Sequence, residues 1–210
     1  MNSVFRCPST GSGRHLKTSS LSYDGATLYL VYDDPFDSDI FYSTFNRNRW
    51  SKAESMDKPI NEKSNETNGS TSADGKTIYF ASDRKGGLGD LDIYKSTLND
   101  KGKWSKPVNL GPKINTALIE DAPFISPDGN TLYFSSEGHD GMGGLDIYKA
   151  DLSNQGSDPV NMGYPINTTD NDLFFVPLAN GNSAYYSTRR EDSYGGYDIY
   201  LVDIPQAASP

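Results

Sequence analysis

The sequence predicts an all-β fold, a β-propeller with four recognisable four-stranded antiparallel blades of about 52 residues each. Three observations carry this. One pattern of turn, apolar strand, loop and second strand occurs four times. It reads SYDGATLYLVYDDPFDSDIFYSTF from Ser22, SADGKTIYFASDRKGGLGDLDIYKSTL from Ser72, SPDGNTLYFSSEGHDGMGGLDIYKADL from Ser126 and LANGNSAYYSTRREDSYGGYDIYLVDI from Leu178. The anchors keep step. Gly25, Gly75, Gly129 and Gly181 are 50, 54 and 52 residues apart, and Asp39, Asp92, Asp146 and Asp198 are 53, 54 and 52 apart. Finally, Ile78-Tyr79-Phe80 and Leu132-Tyr133-Phe134 are apolar on both faces, as strands covered on both sides must be.

Each repeat divides into candidate strands A to D. In the third, A is about 121–126, B 131–136, C 145–151 and D 158–161. The A–B connections Asp24-Gly25, Asp74-Gly75 and Asp128-Gly129 are tight turns. The aspartate caps nearby N–H groups and the glycine accepts positive φ. The fourth repeat has Leu178-Ala179-Asn180 before its glycine. Strand D is expected from Trp104 to Leu110 and over Trp50-Ser51-Lys52-Ala53, with Pro107 suited to an outermost strand. Tails Ile60-Asn61, Ile114-Asn115 and Ile166-Asn167 follow. The blades are expected at 15–62, 63–116, 117–168 and 169–205, with a linker beginning at 206–210. Residues 1–14 form a separate segment. Within it Asn2–Cys7 is either the missing strand D of the last blade or a remnant of a preceding one. The four blades are thus a complete ring or part of a larger propeller.

Composition narrows the function. The chain has 210 residues, a formal charge of -9 and no basic stripe, which argues against a nucleic-acid partner. No run approaches the ~20 apolar residues of a transmembrane segment. Cys7 is the only cysteine, so no intramolecular disulfide is expected. The start, MNSVFRCPSTGSG, has no apolar core of a signal peptide.

The repeats S-x-DG-x-T-(I/L)-YF-x-S, glycine-rich loop and DIY resemble TolB-type, WD-like propeller repeats. With GG-x-G-x-x-DIY and the tail W-S-x-P-x-N-L-G-x-x-IN, they are similar to the propeller of OmpA-family cell-envelope proteins of Bacteroidetes-type bacteria. The likeness runs from about Ser20 to Pro205. It weakens at Pro35-Phe36-Asp37-Ser38 and at Leu178-Ala179-Asn180. In that family the propeller sits beside a helical-repeat region, a carboxypeptidase-regulatory-like domain and a peptidoglycan-binding domain, and some relatives serve type IX secretion and gliding. The resemblance implies a longer exported protein, periplasmic or outer-membrane associated, whose propeller binds a protein partner.

The candidate chemistry is sparse. S-x-DG-x-T departs from the sialidase Asp-box, because glycine directly follows aspartate. Asp92, Asp146 and Asp198 are candidates for calcium or for loop braces that accept N–H bonds. Asp33, Asp34, Asp37 and Asp39 are denser and keep a weak calcium site open; otherwise no cofactor is expected. Gly86-Gly87-Leu88-Gly89 and Gly141-Met142-Gly143-Gly144 precede strands rather than helices, so they are not phosphate loops. His15 and His139 have no cysteine partners for zinc, and no nucleophile elbow occurs. Glu66, Glu120 and Asp172 share one position on strand A, six residues before each A–B turn, where the first repeat has Leu16. They are expected to converge at the mouth of the channel, with Arg84, Lys85, His139, Asp140, Arg189 and Arg190 on the B–C loops of the same rim. The rim is then a ligand-binding face of a non-catalytic scaffold. The alternatives are a glycan- or peptide-acting enzyme using those carboxylates, or a small-ligand or calcium-binding module.

Overall fold

The computed structural model describes residues 16–32, 38–154, 156–179, 181–190 and 193–204. Four antiparallel sheets stand in a ring as a four-bladed β-propeller. Blade 1 contains β1 (Leu16–Leu21), β2 (Thr27–Tyr32), β3 (Asp39–Asn46), β4 (Arg49–Trp50) and β5 (Glu54–Ser55). Blade 2 contains β6 (Glu66–Thr71), β7 (Thr77–Ser82), β8 (Asp92–Thr97) and β9 (Val108–Asn109). Blade 3 contains β10 (Glu120–Ile125), β11 (Thr131–Ser136), β12 (Asp146–Asp151) and β13 (Val160–Asn161). Blade 4 contains β14 (Asp172–Pro177), β15 (Ser183–Thr188) and β16 (Asp198–Asp203). The proposed closing strand Asn2–Cys7 and the aspartates 33, 34 and 37 lie outside the described residues.

The A–B turns form for the same reason each time. Ser72 Oγ donates to Asp74 Oδ1 at 2.6 Å and accepts from Thr77 N at 3.0 Å, while Lys76 N donates to the same carboxylate at 3.0 Å. The glycine sits at φ +67° with nothing near its missing Cβ. Blade 1 and blade 3 repeat the arrangement around Asp24 and Asp128. Gly181 keeps φ +69° and its bond to Leu178 O, as Gly75 bonds Ser72 O.

Strand D begins at the tryptophans, as the sequence suggests, but pairs only in short pieces. In blade 1, Arg47 and Asn48 both take positive φ, a two-residue hairpin that folds Trp50 back onto Phe45. The same edge of β3 is then continued by Glu54–Ser55, opposite Tyr42 and Phe41. Val108–Asn109 holds that place in blade 2, where Trp104 forms only an isolated bridge to Leu98.

Apolar clusters join successive blades. Tyr29, Val31, Ile40, Met56 and Ile60 of blade 1 meet Ile78, Phe80 and Tyr94 of blade 2. Tyr79, Ile93 and Ile114 then meet Leu132, Phe134 and Tyr148, and Ile147 and Ile166 meet Phe175, Ala184 and Tyr186. The tails that carry Ile60, Ile114 and Ile166 are pinned by their asparagines. Asn115 Oδ1 accepts from Ile93 N at 2.8 Å and its Nδ2 donates to Ile93 O at 3.0 Å. Asn61 clamps Ile40 and Asn167 clamps Ile147 in the same way. One side-chain amide thus replaces a strand partner for a fully buried residue.

Asn115→Ala strands the buried N–H of Ile93, whose C=O keeps its bond from Leu110 N at 3.1 Å; at this fully buried residue a cost toward the upper end of about 1–3 kcal/mol is expected. Gly129→Ala, which meets no atom but must hold φ +73°, should cost only about 1–2 kcal/mol. Urea denaturation of the two variants checks the order.

Candidate functional site: the rim and the central cavity

The predicted carboxylate cluster does not open onto the channel mouth. Glu66, Glu120 and Asp172 are each 0% exposed. Each begins the innermost strand of its blade, opposite Ser82, Ser136 or Thr188 on the next strand. Glu66 Oε1 accepts from Ser82 Oγ at 2.7 Å, Ser64 Oγ at 2.8 Å and Arg84 Nη2 at 3.1 Å. Glu120 accepts from Ser136 Oγ and Thr116 Oγ1 at 2.7 Å and from Thr116 N at 2.6 Å. Asp172 accepts from Thr168 N at 2.6 Å and Thr168 Oγ1 at 3.1 Å. The physical reason is the tail between blades. Its N–H groups have no ladder partner, and the carboxylate supplies one. Blade 1 has Leu16 opposite Tyr32 at this register, an apolar pair in place of the polar one. Burial raises the pKa of Glu66 and of Asp172, outweighing the hydrogen bonds that pull each down.

Three of the predicted rim cations are wedges. Arg84 donates to Ile60 O at 2.6 Å and Pro59 O at 3.3 Å, with its guanidinium 4.8 Å from the Phe80 ring centre and 5.1 Å from that of Tyr94. His139 Nε2 stands 3.0 Å from Ile114 O, so that nitrogen carries its hydrogen. Its ring lies 5.9 Å from Phe134 and 5.1 Å from Tyr148. Arg190 donates to Pro165 O at 2.7 Å and lies 4.9 Å over Tyr200. Each seals the carbonyls of the preceding tail against the aromatic pair of the following blade. Lys85, Asp140 and Arg189 are exposed on the B–C loops.

The aspartates before strand C brace those loops. Asp92 accepts from Leu88 N, Gly89 N and Asn109 Nδ2. Asp146 accepts from Met142 N and Gly143 N, and Asp198 from Tyr194 N. A Cβ on Gly87 would come within 2.4 Å of Asp92 Oδ2, and one on Gly89 within 2.4 Å of Leu118 O. The glycines therefore let the loop close over its carboxylate and onto the tail. Among the described residues, no three His, Cys, Asp or Glu side chains gather as a metal-holding group.

A feature that sequence reasoning missed lies on the axis. Ser19, Ser20 and Leu21 of blade 1, Asn68 of blade 2, Ala122, Pro123 and Phe124 of blade 3, and Phe174 and Val176 of blade 4 line one cavity of about 130 Å³. Its residues lie toward the A–B turn end, where Leu21 is 54% exposed. Tyr23 reaches across, donating to Ile125 O at 2.6 Å, with its ring 6.1 Å from Phe124. Burial, with the Asp128 charge adding to it, pushes the Tyr23 hydroxyl up to about 12.

The innermost strands are bulged here, and Ala122 and Phe174 take φ of 50° and 58°, which side chains other than glycine's rarely adopt. Asn68 is 3% exposed. Its Nδ2 donates to both oxygens of Asp121 at 3.0 Å, which fixes the orientation of the amide. Its Oδ1 has no partner. The cavity that Asn68 helps to line is chiefly apolar and suits a ligand with an apolar body.

No protein-family model and no curated protein matches the chain. Solved structures do. The chain is similar to TolB from Acinetobacter baumannii, with TM-score 0.60 and 17% identity over 91% of this chain and 41% of that one. A TolB-type chain from Agrobacterium tumefaciens aligns with TM-score 0.55 and 22% identity over 88% of this chain and 60% of its own. An α-L-arabinofuranosidase from Lactobacillus brevis aligns with TM-score 0.57 and 12% identity over 89% of this chain and 71% of its own. The neighbours are TolB-like β-propellers and propeller enzymes alike. At these identities the likeness establishes the fold, and the chain spans less than two thirds of either TolB.

The raised pKa values of Glu66 and Asp172 fix a sign. Both folded-state values lie above the unfolded ones, so folding is favoured while these groups are protonated. Their contribution is lost as pH rises from the ordinary carboxylate range through the raised values. Asp24, Asp74 and Asp128, lowered chiefly by their serine hydroxyls, act oppositely and lose their contribution as pH falls below that range. Denaturation between about pH 4 and 7 should show the parent losing stability relative to Glu66→Gln/Asp172→Asn as pH rises. A constant difference would contradict the assignment.

Proposed function

We propose that the chain is a non-catalytic interaction module of a bacterial cell-envelope protein, and that its central cavity receives an apolar side chain of a protein partner. The observation that carries this is an apolar cavity walled by Leu21, Pro123, Phe124, Phe174 and Val176, with Asn68, whose Oδ1 is buried and unpartnered, among its lining residues. Rigid innermost strands present the site ready-formed, which lowers the entropic cost of binding.

The carboxylates that a glycoside mechanism would need are already engaged. Glu66 and Glu120 are each held by at least three donors and lie out of contact with solvent. This favours binding over hydrolysis despite the glycosidase among the structural neighbours. Exposed Lys85, Asp140 and Arg189 lie on the opposite rim, away from the cavity. The envelope setting rests on the motif resemblance and on the TolB neighbours.

Peptide display against the immobilised protein tests the reading. Selected peptides should carry an aromatic or aliphatic anchor. They should lose about tenfold or more in affinity, about 1.4 kcal/mol, against Leu21→Glu, a substitution at an exposed cavity residue. Selection of no anchored peptide, or equal binding to the variant, would sink the cavity proposal. Turnover of aryl glycosides, esters or peptides that is lost in Glu120→Gln with the fold intact would replace it with an enzyme.

A further inference from the structure

Blades 1 and 2 leave a groove between their outer strands. Its volume is about 730 Å³, within the range of about 300–1,000 Å³ usual for ligand sites. Tyr29 and Tyr42 of blade 1 and Trp104 of blade 2 supply its aromatic lining. Asp57, Lys58 and Lys103 also line it and are exposed.

Three departures from the repeat meet in this groove. Strand pairing puts Tyr42 opposite Tyr29, where blades 2 and 3 set Lys95 opposite Tyr79 and Lys149 opposite Tyr133. Trp104 is one of two tryptophans in the chain, and blade 3 has none. Asp57 stands three residues before Ile60, where the other tails have Gly111 before Ile114 and Gly163 before Ile166. Those glycines take φ of 81° and 64°, and Asp57 takes 38°. Aspartate enters this left-handed region more readily than most residues, but glycine does so without steric cost. A carboxylate thus stands where the backbone favours glycine, and residues held in this way cluster at ligand sites.

The charged groups are of both signs and uncommitted. Neither the carboxylate of Asp57 nor the ammonium groups of Lys58 and Lys103 make an ion pair among the described residues. Tyr42 donates to Glu54 Oε2 at 3.0 Å. Burial raises the pKa of that hydroxyl, and the charges of Glu54 and Asp57 add to it.

We propose that this groove binds a neutral oligosaccharide. A pyranose ring has C–H faces to set against Trp104 and Tyr42, and hydroxyls that both donate and accept. Those hydroxyls donate to Asp57 and accept from Lys58 and Lys103. With Glu54 beside Tyr42, the groove carries two charges of each sign. A strongly cationic or anionic ligand therefore meets a like charge as well as a partner. Proline-rich segments also dock in aromatic grooves. Their prolines have no N–H, however, and would leave the Asp57 carboxylate without a donor. The proposal does not depend on the central cavity.

An array of neutral and charged oligosaccharides, probed with the whole protein, tests it. The neutral sugars selected are then titrated. Trp50→Phe leaves Trp104 as the sole tryptophan, so emission reports on the groove. Saturable binding with a change in that emission is expected. Asp57→Gly and Tyr42→Lys each install the residue that blades 2 and 3 carry, and each should weaken binding at least tenfold. Asp57→Gly exchanges strain in the folded state for freedom in the unfolded one, so its melting temperature should stay nearly unchanged. It reports on binding even if Tyr42→Lys disturbs the packing. Failure of every neutral oligosaccharide to bind overturns the proposal, as does binding that Asp57→Gly leaves unaltered. So does a response of Trp104 to a proline decapeptide but to no saccharide.

Discussion

The structure depends on satisfying the backbone of the tails that run from one blade to the next. These segments leave the outer edge of a sheet and cross to the axis, so no neighbouring strand is in register with them. Two side-chain devices solve the problem. The tail asparagine, Asn61, Asn115 or Asn167, turns back to clamp both polar groups of a buried isoleucine on strand C. The following Glu66, Glu120 or Asp172 collects the tail's own N–H groups and hydroxyls. Without them the interblade isoleucines would be buried beside unpaired amides, which costs about as much as their burial contributes.

That solution decides what the propeller can offer chemically. Acidic residues near the axis look in sequence like a converging active site. In space they are internal acceptors, and the arginines and histidine near them cover tail carbonyls while resting on aromatic rings. The polar inventory of this face is thus spent largely on joining blades. Among the described residues, buried polar atoms without a partner occur on that face too, at Tyr94, Asp146, Thr188 and Arg190, as well as near the axis at Asn68, where bulged strands hold Ala122 and Phe174 in the left-handed region. Strained backbone kept rigid around a cavity is a feature more often found at recognition sites than in passive cores.

Much of the architecture was legible because each blade is built by local rules. The Asp-Gly turns, doubly apolar second strands and the Asp-Ile-Tyr third strands each have a short-range cause, and four copies reinforce one another. The direction of Glu66, Glu120 and Asp172 was not legible. Strand alternation gives a face only if the register is unbroken, and a bulge follows each of these residues. The cavity was hidden for a related reason. Asn68, Ala122 and Phe174 share a strand position, but their chemistry differs and only closure of the ring brings them together. The tryptophans do mark the start of the outer strand, opposite Phe45 and Leu98, but its pairing is broken before Glu54 and Val108.

The departures from the repeat are as informative as the repeat. Blade 1 exchanges the glutamate–serine pair of blade 2 for Leu16 and Tyr32, altering both sides of one register together. Its Tyr42 takes the place of Lys95 and packs into the junction with blade 2, where an apolar group at that position has a neighbour to meet. Leu201 makes the same exchange in blade 4, yet is left facing solvent. An apolar residue at this position is covered in the one case and uncovered in the other. The difference between them is a neighbouring blade.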